Sequence, residues 1–251
     1  MRVRIYFEPV TLGTSIYYPY YLQTALYSLL DDELGTWMHD KGLVLEKRRL
    51  KPICFSRLMG EYKLDSKSGV IYFPKGASLV VTSPIPEICQ SLLTGLLKRG
   101  EIILGKSSFP VSKVEIIDPK VSGSSILVRT LSPITVYSTM LKFDGSKYTC
   151  YFSPKDSEFA SLCRDNLVRK ARALGWEENQ DFEVNIEFKG DPKTNIVKYK
   201  NSLIKGYSGR LMISGPARYL KLALDWGLGA KNSAGFGCLE ITGGGNQQDR
   251  I

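Results

Sequence analysis

The chain is poor in several groups that would mark common functions. It holds one histidine, His39, in 251 residues. That excludes a paired-histidine acid–base site and most histidine-rich metal sites. Its five cysteines are odd in number and include no Cys-x-x-Cys pair, so neither a zinc ribbon nor a disulfide framework is expected, and the reducing cytoplasm is the expected compartment. No apolar run approaches the length of a membrane span, and the start, MRVRIYFEPV, alternates like a strand where a signal peptide would be continuously apolar. A membrane partner is therefore not expected.

Acidic residues are also in deficit. Lysine and arginine number 34 against 25 aspartates and glutamates, a net charge of +9. The excess is +4 over residues 1–122 and +5 over the remainder, so it belongs to the folded surface rather than to a basic tail. Such a surface suits a polyanion, most simply nucleic acid.

Two stretches repeat one order of elements. Residues 2–8 alternate, with Arg2, Arg4 and Tyr6 on one face and Val3, Ile5 and Phe7 on the other. In YYLQTALYSLLDDELG, Leu22, Ala25, Leu26, Leu29 and Leu30 follow helical spacing. PICFSRL, GVIYF and ASLVVTS read as strands. SPIPEICQSLLTGLLKRG reads as a helix with Pro86 in its first turn and Gly100 as its cap, and EIILG and PVSKVEII read as strands. The second stretch runs SILVRTLSPITVYS as a strand, then a helix opening at Ser153 and Pro154. FEVNIEF, NIVKYK and GRLMIS follow as strands, GPARYLKLALDWGLG as a helix and FGCLEI as a last strand. The expected fold is α+β, two tandem ferredoxin-like (RRM-like) βαββαβ domains over 1–120 and 124–242. The join is placed in DPKVSGSS, residues 118–125, and a disordered tail over 243–251.

The segment GLGAKNSAGFG concentrates glycine: Gly227, Gly229, Gly235 and Gly237, with Lys231, Asn232 and Ser233 at its tip. It contains no Gly-Lys-Ser/Thr and runs from a helix into a strand, so it is neither a Walker loop nor a dinucleotide fingerprint. Two readings stay open, an anion-binding nest and close backbone packing. AGFGCLEI departs from the RNA-recognition signature at Ala234, Cys238 and Ile241, which argues against base stacking on that strand.

On helical spacing Tyr27 points away from the apolar stripe of the first helix. His39 follows in a turn marked by Asp40 and Gly42, and then comes EKRRLK, residues 46–51, with four cations. That run is either a solvated loop or a phosphate clamp.

These features together resemble the CRISPR-associated endoribonucleases that process repeat RNA. The resemblance rests on YYLQTALYSLL, WMHDKG, KPICFSRL, GSSILVRTLSPITV and above all the glycine-rich loop, and it spans residues 1–242. It implies metal-independent cleavage with no cofactor. The 2′-hydroxyl attacks the adjacent phosphorus, leaving a 2′,3′-cyclic phosphate and a 5′-hydroxyl. It places Tyr27 as base, His39 as acid and Lys51 as electrostatic stabiliser, with the first two roles open to exchange. The implied partner is repeat RNA in the precursor transcript. Docking into a CRISPR effector complex and homodimerisation are left open, as is whether the RNA is a hairpin.

An RNA-binding set is expected in a cleft between the domains: Arg2, Arg4, Lys47, Arg48, Arg49, Arg210, Arg218, Lys231, Asn232, Ser233 and the four loop glycines. The competing readings are a non-catalytic RNA-binding subunit of an effector complex and a small-molecule anion or nucleotide enzyme.

Overall fold

The computed structural model describes residues 1–176 and 183–242; the tail expected over 243–251 lies outside them. Starting from the N-terminus, the elements are β1 (Arg2–Phe7), β2 (Val10–Ser15), α1 (Pro19–Ser28), α2 (Asp32–Thr36) and one π-helical turn (Trp37–Lys41). Then come β3 (Leu43–Leu45), β4 (Arg48–Leu50), β5 (Cys54–Phe55), β6 (Lys63–Asp65), β7 (Val70–Phe73), β8 (Ala77–Thr82), α3 (Pro86–Arg99), β9 (Glu101–Leu104) and β10 (Ser107–Ile117). The main sheet has the order β5-β8-β1-β10-β9. Its first four strands give the arrangement of a ferredoxin-like domain, with β9 added at the edge.

The second half comprises β11 (Ser125–Thr130), β12 (Tyr137–Leu141), β13 (Lys147–Tyr151), α4 (Glu158–Ala173), β14 (Asn185–Tyr199), β15 (Ser202–Ser214), α5 (Ala217–Trp226), a 3-10 turn (Asn232–Ala234) and β16 (Leu239–Ile241). Its sheet order, β14-β15-β11-β16, repeats the same arrangement. Each sheet buries one face under two helices. Val3, Ile5 and Phe7 pack with Leu22, Leu26 and Leu92, and Val128, Leu211 and Ile213 pack with Leu167, Leu220 and Leu224. No helix among the described residues is long and apolar enough to cross a membrane.

Local signals explain most boundaries. Pro86 opens α3, and Gly100 closes it in the left-handed region at φ 70°. The first helix is shorter than its periodicity suggests, because the Asp31 carboxylate accepts from the Leu34 amide at 2.9 Å and nucleates α2 as a separate helix. The fourth helix does not open at Ser153 and Pro154. The Asp156 carboxylate captures the Ser153 amide at 2.6 Å, which closes a turn, and α4 starts at Glu158. The segment 125–138 is not one strand, since 131–136 leaves the sheet to meet the glycine-rich loop. The described strand residues of FEVNIEF, from Asn185, run on into those of NIVKYK as one strand, β14, which accommodates Gly190 through Pro192 by a register shift and pairs with β15 as one long hairpin.

Candidate active site

The π-helical turn places His39 at the protein surface, its side chain 82% exposed. The imidazole Nδ1 lies 2.7 Å from Asp40 Oδ1. Lys51 Nζ donates to the main-chain carbonyl of His39 at 2.7 Å, and Arg49 donates to that of Asp40 at 2.6 Å. Two cations from the β3–β4 hairpin and its exit thus hold the histidine turn by its backbone. Partial burial, then the neighbouring Arg49, lower the Lys51 pKa, and Asp40 opposes them. Across the domain boundary, the Trp226 indole donates to the Lys51 carbonyl at 2.8 Å. Leu43 and Leu50 pack against the second domain's core, so this hairpin bridges the two halves.

A cleft of about 720 Å³ opens beside Lys51. Arg48, Arg49 and Lys51 form one wall; Arg169 of α4, Tyr137 and the loop residues Lys231 and Ser233 form the other. No carboxylate of the described residues lines it. Burial and then Arg48 lower the Arg169 pKa, and Asp165 and Glu46, which do not line the cleft, oppose them. Lys231, itself left-handed at φ 58°, holds its ammonium 4.9 Å from the Tyr137 ring centroid. Lys47 is exposed at the hairpin turn, adjacent to this wall.

The four loop glycines all adopt positive φ, between 71° and 85°. Two of them show what the loop requires. A Cβ on Gly235 would stand 2.6 Å from the Phe55 ring of the other domain, and one on Gly237 would fall on the Leu228 carbonyl oxygen. Close packing thus requires glycine at these two positions. Asn232 is 6% exposed and donates to the Leu228 and Phe236 carbonyls, so its amide staples the loop where it borders the cleft. Gly105, Lys106 and Ser107 form a Gly-Lys-Ser triplet elsewhere, but it turns β9 into β10 and opens no helix.

Tyr27 sits on the other side of this loop. Its ring packs on the first domain's core, and its enclosed hydroxyl makes no hydrogen bond of good geometry. Burial raises its pKa; the neighbouring Gln23 and Ser233 side chains oppose the shift without reversing it. Among the described residues no cation contributes to this shift, so the expected role as an ionised base lacks its physical cause. Ser233 is the link, since it borders both Tyr27 and the cleft. The structure therefore joins Lys51 to His39 by a hydrogen bond, and the Tyr27 hydroxyl makes none to either.

Four expected RNA contacts do not line this cleft. Arg2 is 2% exposed and donates to the Leu224 and Leu239 carbonyls of the second domain, 2.6 Å for the latter. Arg4 pairs with Glu240, which also binds Arg129. The β1 arginines alternate outward from the first core, as their spacing predicts, but the second domain covers that face. Arg210 is exposed and lies opposite Arg129 and Lys189 in the second sheet. Arg218 stacks over Trp176 and Tyr219, with centroid distances of 5.7 and 5.2 Å.

Lys170 was not foreseen as a loop residue. Buried in α4, it donates to the carbonyls of Trp226, Gly227 and Gly229, the nearest at 2.7 Å. Burial lowers its pKa to about 7. Its only sequence signal is a lysine at i+7 from Cys163 on the buried face of α4.

Comparison with known proteins agrees with this architecture. The family described as CRISPR-associated protein Cas6, N-terminal, matches residues 14–115, and CRISPR associated protein Cas6, C-terminal, matches residues 116–241. The chain is 27% identical over 241 residues to CRISPR-associated endoribonuclease Cas6 1 of Methanocaldococcus jannaschii, covering 92% of this chain and 88% of that one. It is 29% identical over 237 residues to CRISPR-associated endoribonuclease Cas6 of Pyrococcus furiosus, covering 89% and 82%. The fold superimposes on a Cas6-related protein from Pyrococcus furiosus with a TM-score of 0.82 at 21% identity, over 96% of this chain and 98% of that one. It also matches a RAMP protein that binds different RNA substrates, with a TM-score of 0.80 at 19% identity, over 97% and 100%. With both family descriptions matched end to end, the chain belongs to the Cas6 family of CRISPR-associated proteins.

Proposed function

We propose that this protein is an endoribonuclease that cleaves CRISPR repeat RNA in the precursor transcript, without a metal ion, by attack of the 2′-hydroxyl on the adjacent phosphorus. The observation that carries the reading is the carboxylate-free cleft whose wall residue Lys51 is tethered to His39. The relatives from Methanocaldococcus jannaschii and Pyrococcus furiosus are named CRISPR-associated endoribonucleases, which supports the endoribonuclease reading.

The chemistry needs charge stabilisation at phosphorus and proton transfer between the 2′- and 5′-oxygens. Lys51 supplies a point charge for the five-coordinate phosphorane. His39 carries the proton transfer, since imidazole is the side chain that exchanges a proton near neutral pH. Tyr27 acts as a neutral hydroxyl that orients RNA, because burial disfavours its phenolate. Arg48, Arg49 and Lys231 hold backbone phosphates, and Ser233 connects the cleft to Tyr27. In this reading residues 1–120 carry the cleavage set and 124–242 contribute the glycine-rich loop. All the groups named in this reading lie in one chain.

The test is cleavage of repeat RNA in excess EDTA, beside the same RNA with one 2′-deoxyribose at the cut site. Cleavage of the all-ribose RNA alone supports the proposal. Tight binding with no cleavage of either RNA overturns it in favour of an RNA-binding subunit, and cleavage of both overturns the 2′-hydroxyl step.

A further inference from the structure

Away from the cleft the protein has a second surface of distinctive composition. Residues 16–24 (IYYPYYLQT) and 195–205 (NIVKYKNSLIK) contain five tyrosines, three lysines and no carboxylate. They are far apart in sequence, yet the tip of the β14–β15 hairpin lands on the first turn of α1. The Tyr199 hydroxyl donates to the Gln23 side-chain carbonyl, and its ring meets Tyr20 edge-on at a centroid distance of 5.8 Å. Tyr20 in turn lies 5.8 Å from Tyr21. Lys198 stands 4.9 Å from the Tyr17 centroid and Lys200 4.9 Å from that of Tyr20. Tyr18 is not part of this surface: it is buried and its hydroxyl accepts from the Leu58 amide.

Two properties distinguish this surface from an ordinary solvated one. Tyr17 and Tyr21 are 45% and 44% exposed, large rings only half covered. The two lysines lie over ring faces, and neither forms an ion pair with a described residue, so their charge is uncompensated. Lys200 even adopts φ 52°, a left-handed backbone at the hairpin tip that glycine or asparagine would enter more readily. Ring faces interleaved with free cations are the combination that holds single-stranded nucleic acid, bases on the rings and phosphates on the cations. An aliphatic partner would leave the lysines unanswered, and an acidic protein would leave the rings half exposed.

We propose that this surface is a platform for unpaired RNA, with bases stacked on Tyr17, Tyr20 and Tyr21 and phosphates on Lys198 and Lys200. Its place favours the same RNA that the cleft cuts. Tyr20, Gln23 and Tyr27 lie along one face of α1, and the rise from Tyr20 to Tyr27 is about 10 Å. A strand lying on the platform is thereby led to Tyr27 and Ser233. That identification of the RNA rests on the cleavage reading; the platform itself does not.

The test measures binding of a short oligouridylate carrying one 2-aminopurine, whose fluorescence is quenched on stacking, and of a blunt RNA duplex. The variants are Tyr17→Leu with Tyr21→Leu, Tyr17→Phe with Tyr21→Phe, and Lys198→Ala with Lys200→Ala, each checked for unchanged melting temperature. The leucine pair is expected to lose the quench and weaken single-strand binding about 10-fold or more, the phenylalanine pair to retain both, and duplex binding to stay unchanged. The lysine pair is expected to weaken single-strand binding while keeping the residual quench. Wild-type-like binding by the leucine pair, equal losses in the phenylalanine pair, or an equal loss for duplex overturns the proposal. The probe is not a repeat and is not cut, so a protein that fails to cleave repeat RNA but quenches 2-aminopurine separates the failure of the cleavage reading from that of the platform.

Discussion

Lys51 reaches His39 through the backbone: its ammonium donates to the His39 carbonyl at 2.7 Å, while the imidazole Nδ1 lies 2.7 Å from Asp40 Oδ1. The two side chains therefore answer differently to substitution. His39→Ala is expected to lower the single-turnover rate by about 100-fold or more with RNA affinity nearly intact, because general acid–base catalysis contributes that much. Lys51→Ala is expected to cost a similar factor, typical of losing one preorganised charge donor at a transition state. Lys51→Ala should also loosen the 37–41 turn, seen as faster amide exchange there, whereas His39→Ala should not. Rates within a few-fold of wild type for His39→Ala remove it from the reaction.

The burial of Arg2 separates folding from RNA binding. Arg2→Leu strips two carbonyls of the second domain of their donor, and leaving buried acceptors unmet costs about 1–3 kcal/mol. The melting temperature is expected to fall and the salt dependence of RNA affinity to stay the same. Arg48→Ala with Lys231→Ala should do the reverse. Each removes one cleft cation, so the slope of log affinity against log salt is expected to flatten by about 1 per residue. A flattened slope in Arg2→Leu would place Arg2 on the RNA.

These arginines show where sequence reading ends. The alternation in β1 correctly assigns Val3 and Ile5 to one face and Arg2 and Arg4 to the other. What it does not contain is the second domain, whose Leu239 and Glu240 meet those arginines from more than 230 positions away. The tandem ferredoxin-like order was legible because helical and strand periods are local, as were the caps at Pro86 and Gly100. The glycine-rich loop was legible as a special backbone, but its partner Phe55 was not, since nothing near Gly235 in sequence specifies a ring from the first domain. The resemblance groups Tyr27, His39 and Lys51 as one set without saying how they meet; the bond from Lys51 to the His39 carbonyl, and the enclosure of the Tyr27 hydroxyl beside Gln23 and Ser233, belong to the folded backbone.

The loop's contact with Phe55 gives a coupling that can be measured. Gly235→Ala places a methyl on that ring at a left-handed φ, and a non-glycine residue held there costs about 1–3 kcal/mol. Phe55→Leu alone opens space and destabilises the interface. The double variant is expected to be more stable than the sum of the two single losses, because the smaller side chain receives the methyl. Strict additivity in urea melts would show that the clash with Phe55 is not what excludes a side chain at 235.

Lys170 links the glycine-rich loop to pH. Burial in the fold lowers its pKa to about 7, whereas the unfolded chain returns it to about 10.4. Between those values the unfolded state binds more protons at this residue, so its contribution to stability rises with pH. Buried Cys163 acts in the opposite sense. Its pKa is raised by burial, so above about 8.5 the unfolded thiol ionises first and stability falls. The lysine effect is therefore cleanest between about pH 7 and 8.5. Comparing wild type with Lys170→Met isolates it: the wild type is expected to gain stability over that window relative to the variant. The variant should be less stable at every pH, because the Gly227 and Gly229 carbonyls lose their donor. Parallel stability curves for the two proteins would mean that Lys170 stays charged in the fold. In that case its ammonium, spread over three carbonyls, would be a permanent charge capping the end of α5.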